Sequence, residues 1–138
     1  MRAILGVALG VVIGVIASML IILGVEGVGH TIFPPPPGVN LTDPAQLATA
    51  MGKIPVQAKI AVLLAWFLGT LGGASAANLV AGRRAWAGRI VALIVLALAI
   101  FNMTTIRHPA WMAVSAVLAI LLGGFLADRA FGRRRVAR

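Results

Sequence analysis

Four side chains stand out as capable of chemistry in a chain that otherwise offers little of it: Glu26, His30, Asn102 and His108. Glu26 and His30 are spaced i and i+4, which puts them on one helix face about 5–6 Å apart at Cβ. With His108 they supply one carboxylate and two imidazoles. That set suits zinc, iron or another divalent first-row metal, with positions left open for water or substrate. Asn102 would then be a hydrogen-bond partner outside the ligands. The same groups would also serve a proton relay or a site for a polar ligand. Imidazole exchanges protons near neutral pH, and a carboxylate at the edge of a bilayer needs a partner. Haem between His30 and His108, or a quinone, fits less well, because both histidines fall at helix ends where a porphyrin is poorly enclosed. The mechanical alternative is a Glu26–His30 pair that pins the first apolar segment to the start of the last.

The catalytic alternatives are thin. There is no G-x-S-x-G, the chain has no cysteine, and its three acids, Glu26, Asp43 and Asp128, are scattered. No thiolate metal site, disulfide or thiol redox chemistry is open to it. The reading leans away from an enzyme.

The elements that must position these residues follow from composition. Of the 138 residues 61% are hydrophobic and only 11% charged, and the mean hydropathy is +1.05. A chain of this kind exposes too much apolar surface for water, so it belongs in a membrane as one domain, 1–138. The first apolar run, Ala3 to Gly24, is about 33 Å long as a helix, enough for a hydrocarbon core of ~30 Å. It is expected to stay as a span, since it is too long for a signal-peptide core and no Ala-x-Ala site follows. Nothing forbids the helix continuing to Phe33, where Pro34 to Pro37 end it.

Four spans are expected at about 3–33, 57–81, 86–106 and 109–127, with a loop at 34–56 and a basic tail at 128–138. Inside the loop, Asp43-Pro44-Ala45-Gln46 has the order of a helix start, with Asp as cap and Pro first. A short amphipathic helix should follow, ending near Gly52. Asn40-Leu41-Thr42 has the form of a glycosylation sequon, a weak signal at three residues. The predicted fold is therefore an all-α, four-transmembrane-helix bundle with one periplasmic loop carrying a short amphipathic helix.

Small residues recur at every fourth position in three of the spans. Gly6, Gly10, Gly14 and Ser18 form one ladder, Ala65, Gly69, Gly73 and Ala77 a second, and Ser115, Ala119, Gly123 and Ala127 a third. Such ladders let helix backbones approach closely. Three of them exceed what one antiparallel bundle obviously needs. That argues for a homo-oligomer or for docking onto other membrane subunits, besides the lipid bilayer itself.

The net charge of +9 is unevenly placed. With four spans both termini share a side. That side carries Arg2, Arg83, Arg84, Arg89, Arg129, Arg133, Arg134, Arg135 and Arg138, against Lys53, Lys59 and Arg107 opposite. The positive-inside rule puts the termini in the cytoplasm of a bacterial inner membrane, and the tail reads as an anchor on anionic lipid. No folded basic domain or interleaved aromatics accompany the arginines, so nucleic acid is not an expected partner. Apart from the neutral Asn78, no intramembrane charge in the inner half continues a path from Glu26, which argues against a proton-coupled pump.

Taken in order, Glu26-x-x-x-His30, Phe33-Pro34-Pro35-Pro36, Asp43-Pro44, Trp66 with Gly69 and Gly73, Asn102 and His108-Pro109-x-Trp111 form a pattern over nearly the whole chain. It resembles small, uncharacterised four-span bacterial inner-membrane proteins. The resemblance implies no activity and transfers no catalytic residues. The reading reached from the residues is a structural, accessory or self-associating membrane subunit. Its alternative is a ligand- or metal-binding protein or permease using the Glu26, His30 and His108 cluster on the periplasmic side.

Overall fold

Inside a bilayer the backbone has no water to bond with, and a helix satisfies its N–H and C=O groups within the segment. The four apolar runs accordingly form four long helices in a computed structural model that describes residues 1–40 and 42–132, the side chain of Arg2 excepted. They are α1 (Arg2–Ile32), α3 (Val56–Val80), α4 (Ala85–Thr105) and α5 (Ala110–Phe131), with a short α2 (Pro44–Ala50) between the first two. Each of the four is long and apolar enough to cross a membrane. Among the described residues there is no strand. The outward side chains are as apolar as the inward ones, and Leu20, Leu93, Phe101 and Leu118 are all exposed. A surface like this is stable against lipid and not against water. The chain is a multi-pass helical membrane protein. The basic tail from Arg133 onward, and Leu41 of the sequon, lie outside the described residues.

The helix ends follow local chemistry. The last turn of α1 closes with the Phe33 amide donating to Gly29 O at 2.8 Å, just before the prolines. At α2, Asp43 Oδ1 accepts from the amides of Ala45 at 2.9 Å and Gln46 at 3.5 Å, as an N-cap side chain does. Asn40 closes the turn before it, its Oδ1 accepting from the Thr42 amide at 3.0 Å and hydroxyl at 2.7 Å. α5 runs four residues past the expected end at Ala127, because Asp128 is tied into the bundle and is not part of a solvated tail.

α3 is the central helix and packs on α1, α4 and α5. Its contact with α1 is a regular antiparallel register. A Cβ placed on Gly10 would meet Ala81, on Gly14 Ala77, on Gly73 Ser18, and on Gly69 Ile22. Each four-residue step on one helix matches a four-residue step on the other, so the first two small-residue ladders interlock with each other. The third is used in the same way. Gly123 of α5 sits against Phe67 O and Thr70 of α3, at 2.9 and 3.2 Å from a Cβ built there, and Ala119 is half-buried. The ladders are thus taken up within one chain, and their number does not call for a second molecule. Gly6 is the exception. No atom lies within 4 Å of its Cβ position, because the register carries it past Val80, where α3 has already ended.

The end of the bundle that holds the termini is fastened by polar bonds. Asn78, fully buried, accepts the Gly88 amide hydrogen on Oδ1 at 2.7 Å and donates from Nδ2 to Asp128 Oδ1 at 3.3 Å. The other Asp128 oxygen accepts from Arg89 Nε at 2.7 Å, and the Arg89 guanidinium lies 5.5 Å from the Trp86 ring centre. Three helices meet in this network. The turn between α3 and α4 places Gly82 and Arg83 in the left-handed region, at φ 69° and 63°. Arg83 is held there by its amide bond to Asn78 O at 2.6 Å and by its guanidinium bond to Ala130 O at 3.2 Å.

Candidate functional site

The opposite end, which carries the long loop, is not closed by a comparable network. It contains a cavity of about 460 Å³, within the range typical of small-molecule sites. All four side chains singled out by residue type, Glu26, His30, Asn102 and His108, line it. They come from the last turns of α1, the end of α4 and the turn before α5. The α1–α3 register explains their levels. Continued from Ile22 opposite Gly69, it sets Glu26 opposite Ala65 and the neighbouring Trp66. His30 lies one turn nearer the loop.

The rest of the lining is apolar and has a clear order. Met19, Ile22, Val95, Leu98 and Ala99 form its lower walls, Val62 lines it one turn of α3 nearer the loop than Trp66, and Phe33, Pro35, Leu47, Met51 and Ile54 of the loop and α2 cover its outer side. Trp66, only 6% exposed, faces into it from α3. The exposed lining residues are His30 on α1 and Leu98 and Asn102 on α4, together with Pro34 and Pro55. The cavity therefore has exposed walls on the outer halves of α1 and α4 and at the loop end. These two helices meet lower down, where a Cβ on Gly14 would lie 2.8 Å from Val91.

One charged residue in the cavity was not among the sequence candidates. Lys59 is 8% exposed and lines the same space. From sequence it served only as a boundary charge at the start of the second span. Its spacing from Trp66 is i and i+7, and from Val62 i and i+3, so all three share one helix face. That spacing was the signal available. Cβ vectors tilt toward a helix N-terminus, so Lys59 leans toward the loop end while Glu26, on the antiparallel α1, leans away from it. Lys59 lies about 10 Å nearer the loop end than Trp66 along α3.

Among the described residues Glu26, His30, Lys59, Asn102 and His108 make no ion pair or hydrogen bond with one another. The groups acting on the Glu26 carboxylate are the His30 imidazole and the Trp66 indole. Yet the sole ion pair among the described residues is Arg89–Asp128, at the other end. The expected Glu26–His30 fastening pair is thus not made: its two members share a face without closing to ion-pair distance. His108 turns back on its own chain, with Nδ1 donating to the Ile106 carbonyl at 2.8 Å. Glu26, His30 and His108 are not gathered into one ligand set either. Among the described residues no group of three or more His, Cys, Asp or Glu is placed to hold an ion. The three line one cavity, Glu26 and His30 from successive turns of α1 and His108 from the turn before α5.

Chemically, the arrangement is a mostly apolar pocket with unpaired charged and hydrogen-bonding groups at graded depths. No protein-family model, curated protein or solved structure matches the chain.

Proposed function

We propose that this is an inner-membrane protein with both termini cytoplasmic that binds a small amphiphile in the cavity at its periplasmic end. The observation that carries this is the composition of the cavity wall. Apolar side chains from α1, α3 and α4 surround a space of about 460 Å³, and Glu26 and Lys59 both face it without an ion-pair partner among the described residues. A fastening site would close its charges on each other, as Asn78, Arg89 and Asp128 do at the far end. An unpaired charge in a low-dielectric wall is costly, and a bound polar group or trapped water offsets that cost. Exposed lining residues on the apolar outer surface, Leu98 among them, suit a ligand arriving from the lipid. The excess of arginine at the termini end supports the orientation.

The test uses Trp66 as sole reporter, in a Trp86→Phe, Trp111→Phe background. Trp66 is shielded from lipid, so a brominated single-chain detergent should quench it only by entering the cavity. Saturable quenching, abolished by the cavity-filling Ala99→Phe, is expected. Quenching that is absent, or that rises linearly without saturation, rules the reading out. Reporter fusions at the C-terminus check the orientation separately.

A further inference from the structure

The depth order of the polar groups narrows the ligand, given the amphiphile reading above. We infer that the cavity takes a single-chain amphiphile with an anionic head and a hydrogen-bond donor just below it, as in a monoacyl glycerophosphate. Lys59 and His30 occupy the level nearest the loop, with His108 in the turn beside them. Lys59 makes no ion pair and no side-chain hydrogen bond among the described residues, so its donors are free for a ligand. Cationic and N–H donors at that level call for a phosphate or carboxylate. His108 already gives its Nδ1 hydrogen to Ile106 O, so only its Nε2 is left for a ligand.

Closer to the bundle centre lie Glu26 and Asn102, on facing helices and on the levels around Trp66. A carboxylate offers only acceptors, and a carboxamide offers one more. This level therefore suits a hydroxyl or amide N–H on the ligand and repels a second anion. Below it the wall is wholly apolar, with Met19, Ile22 and Val95 leaving room for the upper part of an acyl chain. Leu98, which lines the cavity and is exposed on α4, marks where the chain would continue into the bilayer. In an outer leaflet such a lipid has its head outward and its chain inward, which is the order of the wall. A lipophilic cation fits the order badly, because with its chain inward and its head outward its charge would lie at the level of Lys59 and beyond Glu26.

The experiment measures Trp66 quenching in the single-Trp protein, in phosphatidylcholine nanodiscs. Unlabelled 1-lauroyl-glycerol 3-phosphate, dodecyl phosphate and dodecyltrimethylammonium each compete with a brominated single-chain detergent. The monoacyl glycerophosphate should compete best and the cation worst. Lys59→Met should weaken both phosphates about tenfold or more, since a hydrogen bond to a charged group is lost, while Lys59→Arg keeps binding. Glu26→Met should weaken the glycerophosphate severalfold and leave dodecyl phosphate, which lacks the hydroxyl, unchanged or tighter. Thermal unfolding of each variant separates a lost contact from a lost fold. Equal competition by all three amphiphiles, unaffected by Lys59→Met, overturns the head assignment while leaving the cavity as an apolar site. Preferred binding of the cation, dependent on Glu26, overturns it in favour of an amine ligand. Failure of the brominated detergent to quench Trp66 removes both this inference and the function it rests on.

Discussion

Asn78 Oδ1 accepts the amide hydrogen of Gly88 at 2.7 Å, and the same Asn78 amide stands 2.6–2.7 Å from where a Cβ on Gly88 would be. The bond and the glycine require each other: α3 and α4 come close enough for a side chain to reach a backbone N–H only because residue 88 has no side chain. Asn78 also donates to Asp128 of α5, so one residue fastens three helices. Asn78→Leu leaves a buried N–H without an acceptor and should cost about 1–3 kcal/mol. Unfolding measured by circular dichroism in detergent checks this. An unchanged midpoint would show the bond contributes nothing.

The Asp128 partnership can be tested by exchange. Asn78→Asp keeps the acceptor for Gly88 but sets two carboxylates together, so it should destabilise by about 1–3 kcal/mol. Adding Asp128→Asn reverses donor and acceptor between the pair and should recover most of the loss. A double variant no more stable than the single one would mean that the two residues are not coupled.

Glycines that look alike in sequence differ in consequence. Gly73 faces Ser18 and the Gly14 carbonyl, with no space for a methyl group, and Gly6 faces nothing within 4 Å. Gly73→Ala should destabilise by about 1–3 kcal/mol through overpacking. Gly6→Ala should be neutral or slightly stabilising, as expected for an exposed helix position. Parallel thermal melts of the two variants settle the contrast.

Ser18 carries the one buried side-chain atom without a hydrogen-bond partner among the described residues. Replacing it with alanine removes an unsatisfied hydroxyl and keeps the close α1–α3 approach. Ser18→Ala should therefore be neutral or stabilise by up to about 1 kcal/mol. A clear loss of stability would mean that the hydroxyl is satisfied in solution.

The covering of the cavity depends on a cap. Asp43 holds the first turn of α2, and α2 brings Leu47 and Met51 over the cavity. Asp43→Ala should cost about 1 kcal/mol of local stability. Hydrogen exchange should then quicken at residues 45–51 while the bundle melts as before. Unaltered exchange there would show that α2 is held by its packing alone.

What this sequence determined by itself was the architecture of spans and caps. Apolar runs of twenty residues or more admit only helices in a bilayer, prolines at 34–37 had to end the first, and Asp43-Pro44 had to start the short one. Residue type and helical spacing also sufficed to nominate Glu26, His30, Asn102 and His108, which do line one cavity. Only the tertiary structure decided what those residues do to one another. Helix levels and Cβ directions are set by the α1–α3 register, a property of two segments more than thirty residues apart in the chain. That register sets Glu26 at the level of Ala65 and Trp66. It brings the boundary charge Lys59 into the pocket and buries the small-residue ladders against each other. Asp128, which looked like the first residue of a tail, became a tie between helices for the same reason. Periodicity says which side of a helix is special, but the packing of a second helix decides what that side meets.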